Sequence, residues 1–207
     1  LRLGEYKVAI DEEFIIEQLS KADLIGDERG LISFFGTYLT QTYADFSNKM
    51  FFRFQKALAP RLQKAAGALL ANAVQECGYF TFRGFVDSPD WEALMGPMIE
   101  TDEDMLYALV ALCNVFGVGK LKVKELIPGE RFVYVTHNSF EADGYLELYG
   151  KSSKPQCYTL TGLAAGLMDL VYGREFPNGL NTFESVETKC RAKGDKVCEF
   201  VVKRATF

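Results

Sequence analysis

Residues 182–204 read TFESVETKCRAKGDKVCEFVVKR, and this stretch decides how the chain is organised. Two runs that read as strands, at about 182–192 and 197–204, flank Lys193-Gly194-Asp195-Lys196, whose Gly and Asp suit a tight reversal. If the hairpin turns symmetrically about Gly194, Cys190 and Cys198 stand opposite each other and share a face. Glu187 lies three residues before Cys190, which in a regular strand puts it on the other face. For Glu187 to join the two thiols, the backbone near Thr188-Lys189 has to be irregular.

Immediately upstream, residues 157–172 read CYTLTGLAAGLMDLVY, with Leu160, Leu163, Ala164, Leu167, Met168 and Val171 at helical spacing. Gly162 and Gly166 allow close packing, so this late helix is predicted to be central. Cys157 stands at its start, where unsatisfied amides favour a thiolate. Packing that helix end on the hairpin would gather Cys157, Glu187, Cys190 and Cys198 into a tetrahedral, thiolate-rich set, which favours zinc over magnesium or calcium. Lys189, Arg191, Lys193 and Lys196 would offset the excess negative charge. Spacing alone leaves other readings open: reduced packing cysteines, or a cross-strand disulfide, since no two-residue CxxC knuckle is present.

Further upstream the period is two at Leu121 and Val123 against Lys122 and Lys124, and again over 131–136, with Pro128-Gly129 between, which predicts another hairpin. The stretch 139–149 fits neither period cleanly. Before Gly117 the chain reads as helical. Leu31, Phe34, Phe35, Leu39, Tyr43 and Phe46 predict a helix over 30–46, and a second starts at about Pro60 with Leu62, Ala66, Leu69, Ala73, Val74 and Cys77 as its inner stripe. Ser88-Pro89 caps a short helix carrying Trp91 and Leu94, and Thr101 with Asp104 forms a capping box opening a helix to Phe116. The class is therefore α+β, N-terminal helices packed on a mostly antiparallel sheet with one late central helix. One domain is expected over 1–207, with a helical half at about 1–117 and a sheet half at about 118–207.

Composition narrows the function. The net charge is −5 and the basic residues are scattered, which argues against direct nucleic-acid contact. No apolar run reaches the roughly 18 residues that span a bilayer, and residues 1–7 lack a signal-peptide pattern, so a cytoplasmic location and no membrane are expected. The chain opens on Leu1, as a trimmed chain or a piece of a larger protein would. There are 17 Phe and 10 Tyr, more aromatic surface than packing alone usually needs; an aromatic-lined cavity and a Phe-rich core are the two outlets. Of the five cysteines, Cys77 and Cys113 lie in helical stretches as inert thiols, and the only histidine, His137, has no second ligand nearby.

The order Ser139-Phe140-Glu141-Ala142, Pro155-Gln156-Cys157-Tyr158, Gly162, Ala165, Gly173-Arg174, then Glu187-Thr188-Lys189-Cys190-Arg191 with Gly194-Asp195-Lys196 and Cys198 resembles the 4-vinyl reductase domain family. The resemblance covers about 119–204. It implies the fold of the effector-sensing domains of phenol-responsive activators and of Golgi-transport and nitric-oxide-sensing ligand domains. In the sensor branch a Cys, Glu, Cys, Cys set holds zinc, which maps onto Cys157, Glu187, Cys190 and Cys198; four protein ligands make the site closed and structural. Two departures stand out: about seven extra residues between Arg174 and Glu187, a longer loop tolerated at modest entropic cost, and Thr136 where the phenol sensors share a pocket Trp. The leading expectation is a sensor domain for a hydrophobic or aromatic small molecule, its pocket lined by Phe132, Tyr134, Thr136, Phe140, Tyr145, Leu163 and Leu167. A homodimer is expected by analogy with the Golgi-transport relatives, and a purely structural dimerisation module is a further alternative. The family name also implies tetrapyrrole vinyl-group reduction, but no GxGxxG fingerprint, P-loop or nucleophile pattern supports an enzyme.

Overall fold

The computed structural model describes residues 9–22 and 24–206. The helices are α1 (Glu12–Leu19), α2 (Ala44–Ala57), α3 (Pro60–Val86), α4 (Pro89–Leu94), α5 (Asp102–Cys113), α6 (Phe140–Tyr149) and α7 (Tyr158–Tyr172). The strands are β1 (Ile32–Phe34), β2 (Thr37–Leu39), β3 (Leu121–Ile127), β4 (Arg131–Thr136), β5 (Phe183–Lys189) and β6 (Cys198–Arg204). The architecture is α+β, as expected.

Local chemistry sets most boundaries. The Ser88 hydroxyl accepts from Trp91 N at 3.1 Å and Pro89 occupies the first turn of α4. Thr101 and Asp104 form a complete capping box at α5. Ser139 caps α6, accepting from Ala142 N at 3.3 Å, and this settles the ambiguous stretch as helix. β3 and β4 turn at Gly129, whose φ of 68° is a conformation that disfavours other residues. The main sheet runs β3-β4-β6-β5, antiparallel throughout.

α7 is the centre of the molecule, with the sheet on one side and α3 on the other. The approach to α3 depends on two glycines. A Cβ on Gly162 would sit 2.1 Å from the Ala71 carbonyl oxygen, and one on Gly166 would sit 2.6 Å from that of Gln75. Leu160, Ala164, Leu167 and Met168 are fully buried, each of the larger ones contributing roughly 1.5–3 kcal/mol of apolar burial.

Three expectations are corrected. The helix predicted over 30–46 is the β1–β2 hairpin followed by α2: Ile32 pairs with Leu39 and Phe34 with Thr37, and the turn at Phe35 and Gly36 has positive φ at both residues (47° and 71°), which no right-handed helix accommodates. The apolar spacing matched a helix because Phe34 and Phe35 are both buried, one from the strand and one from the turn. On α3 the inner face is Ala66, Gly67, Gln75, Gly78, Tyr79, Phe82 and Phe85, whereas Leu62 and Leu69 are 46% and 68% exposed and Cys77 is exposed. Small residues and a glutamine mark the buried stripe because α7 packs too close for leucines. Finally, β5 ends at Lys189, a 3-10 turn spans Arg191–Lys193, and Cys198 pairs with Thr136 rather than with Cys190.

Candidate metal centre

Each of the four predicted ligands is delivered by a different local device. Cys157 is the residue capping α7. Glu187 sits on β5 just before a bulge, where the register against β6 passes from Glu187↔Phe200 to Lys189↔Glu199 and skips Thr188, the irregularity expected from the spacing. Cys190 precedes the 3-10 turn, which closes on Gly194 at φ 99°, and its N–H donates to Asp195 Oδ2 at 2.8 Å. Cys198 opens β6 and its sulfur accepts from Arg191 N at 3.3 Å. The hairpin is thus not symmetric, but the turn folds Cys190 back over Cys198.

The four donor atoms lie within 4.8 Å of one another, and all four residues are buried. Cys157 Sγ is 3.6 Å from Cys198 Sγ, far beyond a disulfide bond of about 2.05 Å and close to the edge of a tetrahedron of sulfurs about 2.3 Å from a central metal, about 3.8 Å. Glu187 Oε2 accepts the Cys157 N–H at 2.9 Å, while its buried Oε1 has no partner among the described residues. An orphaned carboxylate oxygen facing three thiols is a costly arrangement unless a cation completes it. The residues therefore fit a soft divalent metal.

The electrostatics agree. Burial, and then Cys190 beside it, raise the Glu187 carboxyl to about 9. Hydrogen bonds from the Cys157 and Cys198 thiols lower the Cys190 thiol far below its ordinary value. Burial raises Cys157; the Cys157 contact lowers Cys198, but its bond to Cys190 and burial outweigh that and leave it raised. By themselves the four groups hold about one negative charge on Cys190 and keep their protons elsewhere. A divalent cation at their centre reverses that preference.

Residues around the cluster that the sequence reading did not single out hold it in place. The Ser139 hydroxyl lies 3.3 Å from Cys157 Sγ, and Arg191 Nε donates to Asp143 Oδ1 at 2.9 Å, tying the turn to α6. Glu141, wholly buried, accepts the N–H of Thr159 at 2.9 Å and of Leu160 at 3.3 Å, closing the first turn of α7. Burial, partly offset by those N–H groups, raises it to about 7. The Ser-x-x-Ala cap at Ser139 and the Asp after Gly194 were the sequence signals for the first of these.

The predicted pocket residues occupy three places. Phe132, Tyr134 and Thr136 share the inner face of β4; the Tyr134 ring packs on Phe200 at 4.9 Å and its hydroxyl donates to the Leu160 carbonyl. Tyr145 faces α2, its ring 5.0 Å from Phe52, and the Phe140 carbonyl accepts from Asn48 of the same helix. Leu163 is turned toward α3, near Gly78, and Leu167 is fully buried. His137 is exposed.

Residues 136–204 match the 4-vinyl reductase domain. The phenol regulator MopR of Acinetobacter guillouiae is 38% identical over 66 residues, which span 32% of this chain and 10% of MopR. Among solved structures, the phenol-responsive sensory domain of the transcription activator PoxR superposes with a TM-score of 0.68 at 16% identity, covering 91% of this chain and 88% of that one. A trafficking protein particle complex subunit 3 from Naegleria fowleri overlaps 79% of this chain and 96% of its own at 12% identity and a TM-score of 0.48. The ligand set, the helix that carries its first member and the hairpin that carries the rest all fall inside one matched segment, and this chain carries a 4-vinyl reductase domain at residues 136–204.

Proposed function

We propose that the chain is a small-molecule sensor domain whose central helix is braced by one structural zinc ion held by Cys157, Glu187, Cys190 and Cys198, and that it works as a cytoplasmic homodimer. The observation that carries the metal is the convergence of three buried thiols on an orphaned carboxylate oxygen. With all four positions filled by protein, zinc would supply charge neutralisation and bracing, and no open position for a reacting water. The sensor reading draws on the sensory domain of PoxR and on MopR, both named for phenol. The ligand class is a hydrophobic or aromatic small molecule, received between the helical half and the sheet near Phe132, Tyr134, Thr136, Phe140, Tyr145, Leu163 and Leu167. Thr136 in place of the sensors' Trp, with its hydroxyl turned to the Asn138 carbonyl, argues for a ligand other than phenol itself.

Two further features support the reading. No helix among the described residues is long and apolar enough to cross a membrane. α2 presents Tyr43, Phe46, Met50 and Phe54 at helical spacing, each between 48% and 86% exposed, an apolar stripe suited to pairing.

One native mass spectrum tests the three parts separately. A dimer mass, one zinc per chain, and an added mass from an apolar ligand, either copurified or taken up from a panel of substituted phenols and larger aromatics, are expected. A ligand at 100 times its Kd should stabilise the chain by about 2.7 kcal/mol. No uptake across the panel, with zinc bound and the fold intact, would overturn the sensor reading while leaving the metal site standing.

A further inference from the structure

Loop 174–182 follows α7 and contains the residues by which this chain exceeds the phenol sensors. Between that loop, the end of α7 and the end of β6 lies a cavity of about 340 Å³ lined by Arg174, Asn178, Leu180, Asn181, Thr182 and Arg204, among others. We infer that this cavity binds the oxyanion group, carboxylate or phosphate, of a small organic molecule.

The first argument is charge. Four of the eight described arginines pair with a carboxylate: Arg29, Arg83, Arg131 and Arg191. Among the described residues Arg174 and Arg204 pair with none, yet they line the same cavity, and no Asp or Glu shares its wall. In a chain of net charge −5, two guanidinium groups without a counterion in one concavity are an uneven distribution. Arg204 is also oriented. Its guanidinium lies over the buried Phe183 ring at 4.9 Å, which occupies the planar face and leaves the in-plane N–H fork for a two-point contact with an oxyanion.

The second argument is preorganisation. The loop backbone is spent on holding the loop: Asn178 N donates to Glu175 O at 2.8 Å, Gly179 N to Tyr79 Oη at 3.1 Å, Asn181 N to Asp169 Oδ2 at 3.0 Å, and Phe183 N to Asp169 Oδ1 at 2.8 Å. Asp169 is itself fully buried. The Phe176 ring stacks on Tyr79 at 5.3 Å, fixing the loop to α3. The side-chain amides of Asn178 and Asn181, by contrast, have no hydrogen-bond partner among the described residues. A rigid frame that leaves two carboxamides and two guanidinium groups around one space, beside Leu180 and the Tyr172 ring, offers an oxyanion its donors and the rest of a small molecule an apolar wall.

The test uses the full chain with ¹⁵N label. Inorganic phosphate and, separately, benzoate are titrated at constant ionic strength while the Arg Nε–H and Asn side-chain amide signals are followed. Saturating shifts at Arg174, Arg204, Asn178 and Asn181 are expected. Binding should weaken at least tenfold in Arg174→Gln, an exposed loop position, and in Arg204→Lys, which keeps the charge but loses the fork; metal content should be unchanged in both. Saturation by phosphate alone, by benzoate alone or by both supports the site and names its headgroup. If neither saturates, if both variants bind as the parent does, or if the responding arginines are Arg53 and Arg61, the proposal fails.

Discussion

At the C-terminal end of α7, Asp169 is buried with both oxygens engaged: Gln75 Nε2 at 2.7 Å, Asn181 N at 3.0 Å and Phe183 N at 2.8 Å. At the N-terminal end two carboxylates are buried as well, but their accounts do not close. Glu141 is filled by the N–H groups of Thr159 and Leu160, whereas Glu187 receives one N–H and leaves its other oxygen facing three thiols. Both ends use a carboxylate to tie the helix to chain distant in sequence. Only the C-terminal end does so with protein donors alone. The helix is thus fixed at one end by hydrogen bonds and at the other by a site that is complete only with a cation. This also explains how the longer loop after Arg174 is tolerated: its anchor is Asp169, on the end that does not depend on metal.

The largest effect should come from the incomplete end. Cys190→Ser, or chelation of the parent, is expected to lower metal from about one per chain toward none. Stability should fall on the order of 4 kcal/mol, or Tm by about 10 °C, because metal binding to the folded state is folding energy. Metal analysis alongside thermal unfolding reads both. A metal-free parent of undiminished stability would remove the difference between the two ends altogether.

A second effect separates the two carboxylates at the N-terminal end. The Glu141 value of about 7 lies above its ordinary 4.5 because burial outweighs the N–H groups of α7. The folded state therefore keeps a proton that the unfolded chain has lost between those values, and stability falls as pH rises through that window. The full shift corresponds to about 3 kcal/mol, an upper figure, since a cation in the neighbouring clamp pulls the value down. Glu141→Gln keeps an acceptor oxygen for Thr159 and Leu160 without the charge, so its stability from pH 5 to 8, by denaturant titration, should be flatter than the parent's. Identical slopes would mean that Glu141 is ionised throughout at little cost.

The sequence made the N-terminal end of α7 more legible than the rest. Cysteine and glutamate have few reasons to cluster, and the bulge at Thr188 follows from Glu187 and Cys190 being three apart on one strand. The β1–β2 hairpin was read as helix because two adjacent phenylalanines, Phe34 and Phe35, are both buried from a turn whose positive φ only Gly36 advertised. The inner face of α3 was misplaced because close contact with α7 selects Gly67, Gln75 and Gly78, residues that carry no hydrophobic signal. Asp169 was invisible for the same reason: an acid within an apolar helical stretch gives no hint that its partners lie at Gln75, Asn181 and Phe183.

Asp169→Asn tests the self-sufficient end, and its effect should be the smallest of the three. Asparagine offers one acceptor oxygen where the carboxylate offers two, and its amide must face at least one of three N–H donors, leaving a buried donor unsatisfied. The cost is about 2 kcal/mol, within the usual range for such a loss. Burial raises the Asp169 carboxyl above its ordinary 3.8 despite those donors, so removing the charge returns part of its desolvation cost and keeps the net loss below that of the clamp. The discriminating readout is where the loss appears. Amide hydrogen exchange should quicken at Asn181 and Phe183 and along loop 174–182, while zinc content and the protection of Cys157 and Thr159 stay at parent values. If Asp169→Asn instead released metal, the two ends of α7 would be one cooperative unit, and the contrast between them would be a difference of chemistry without a difference of function.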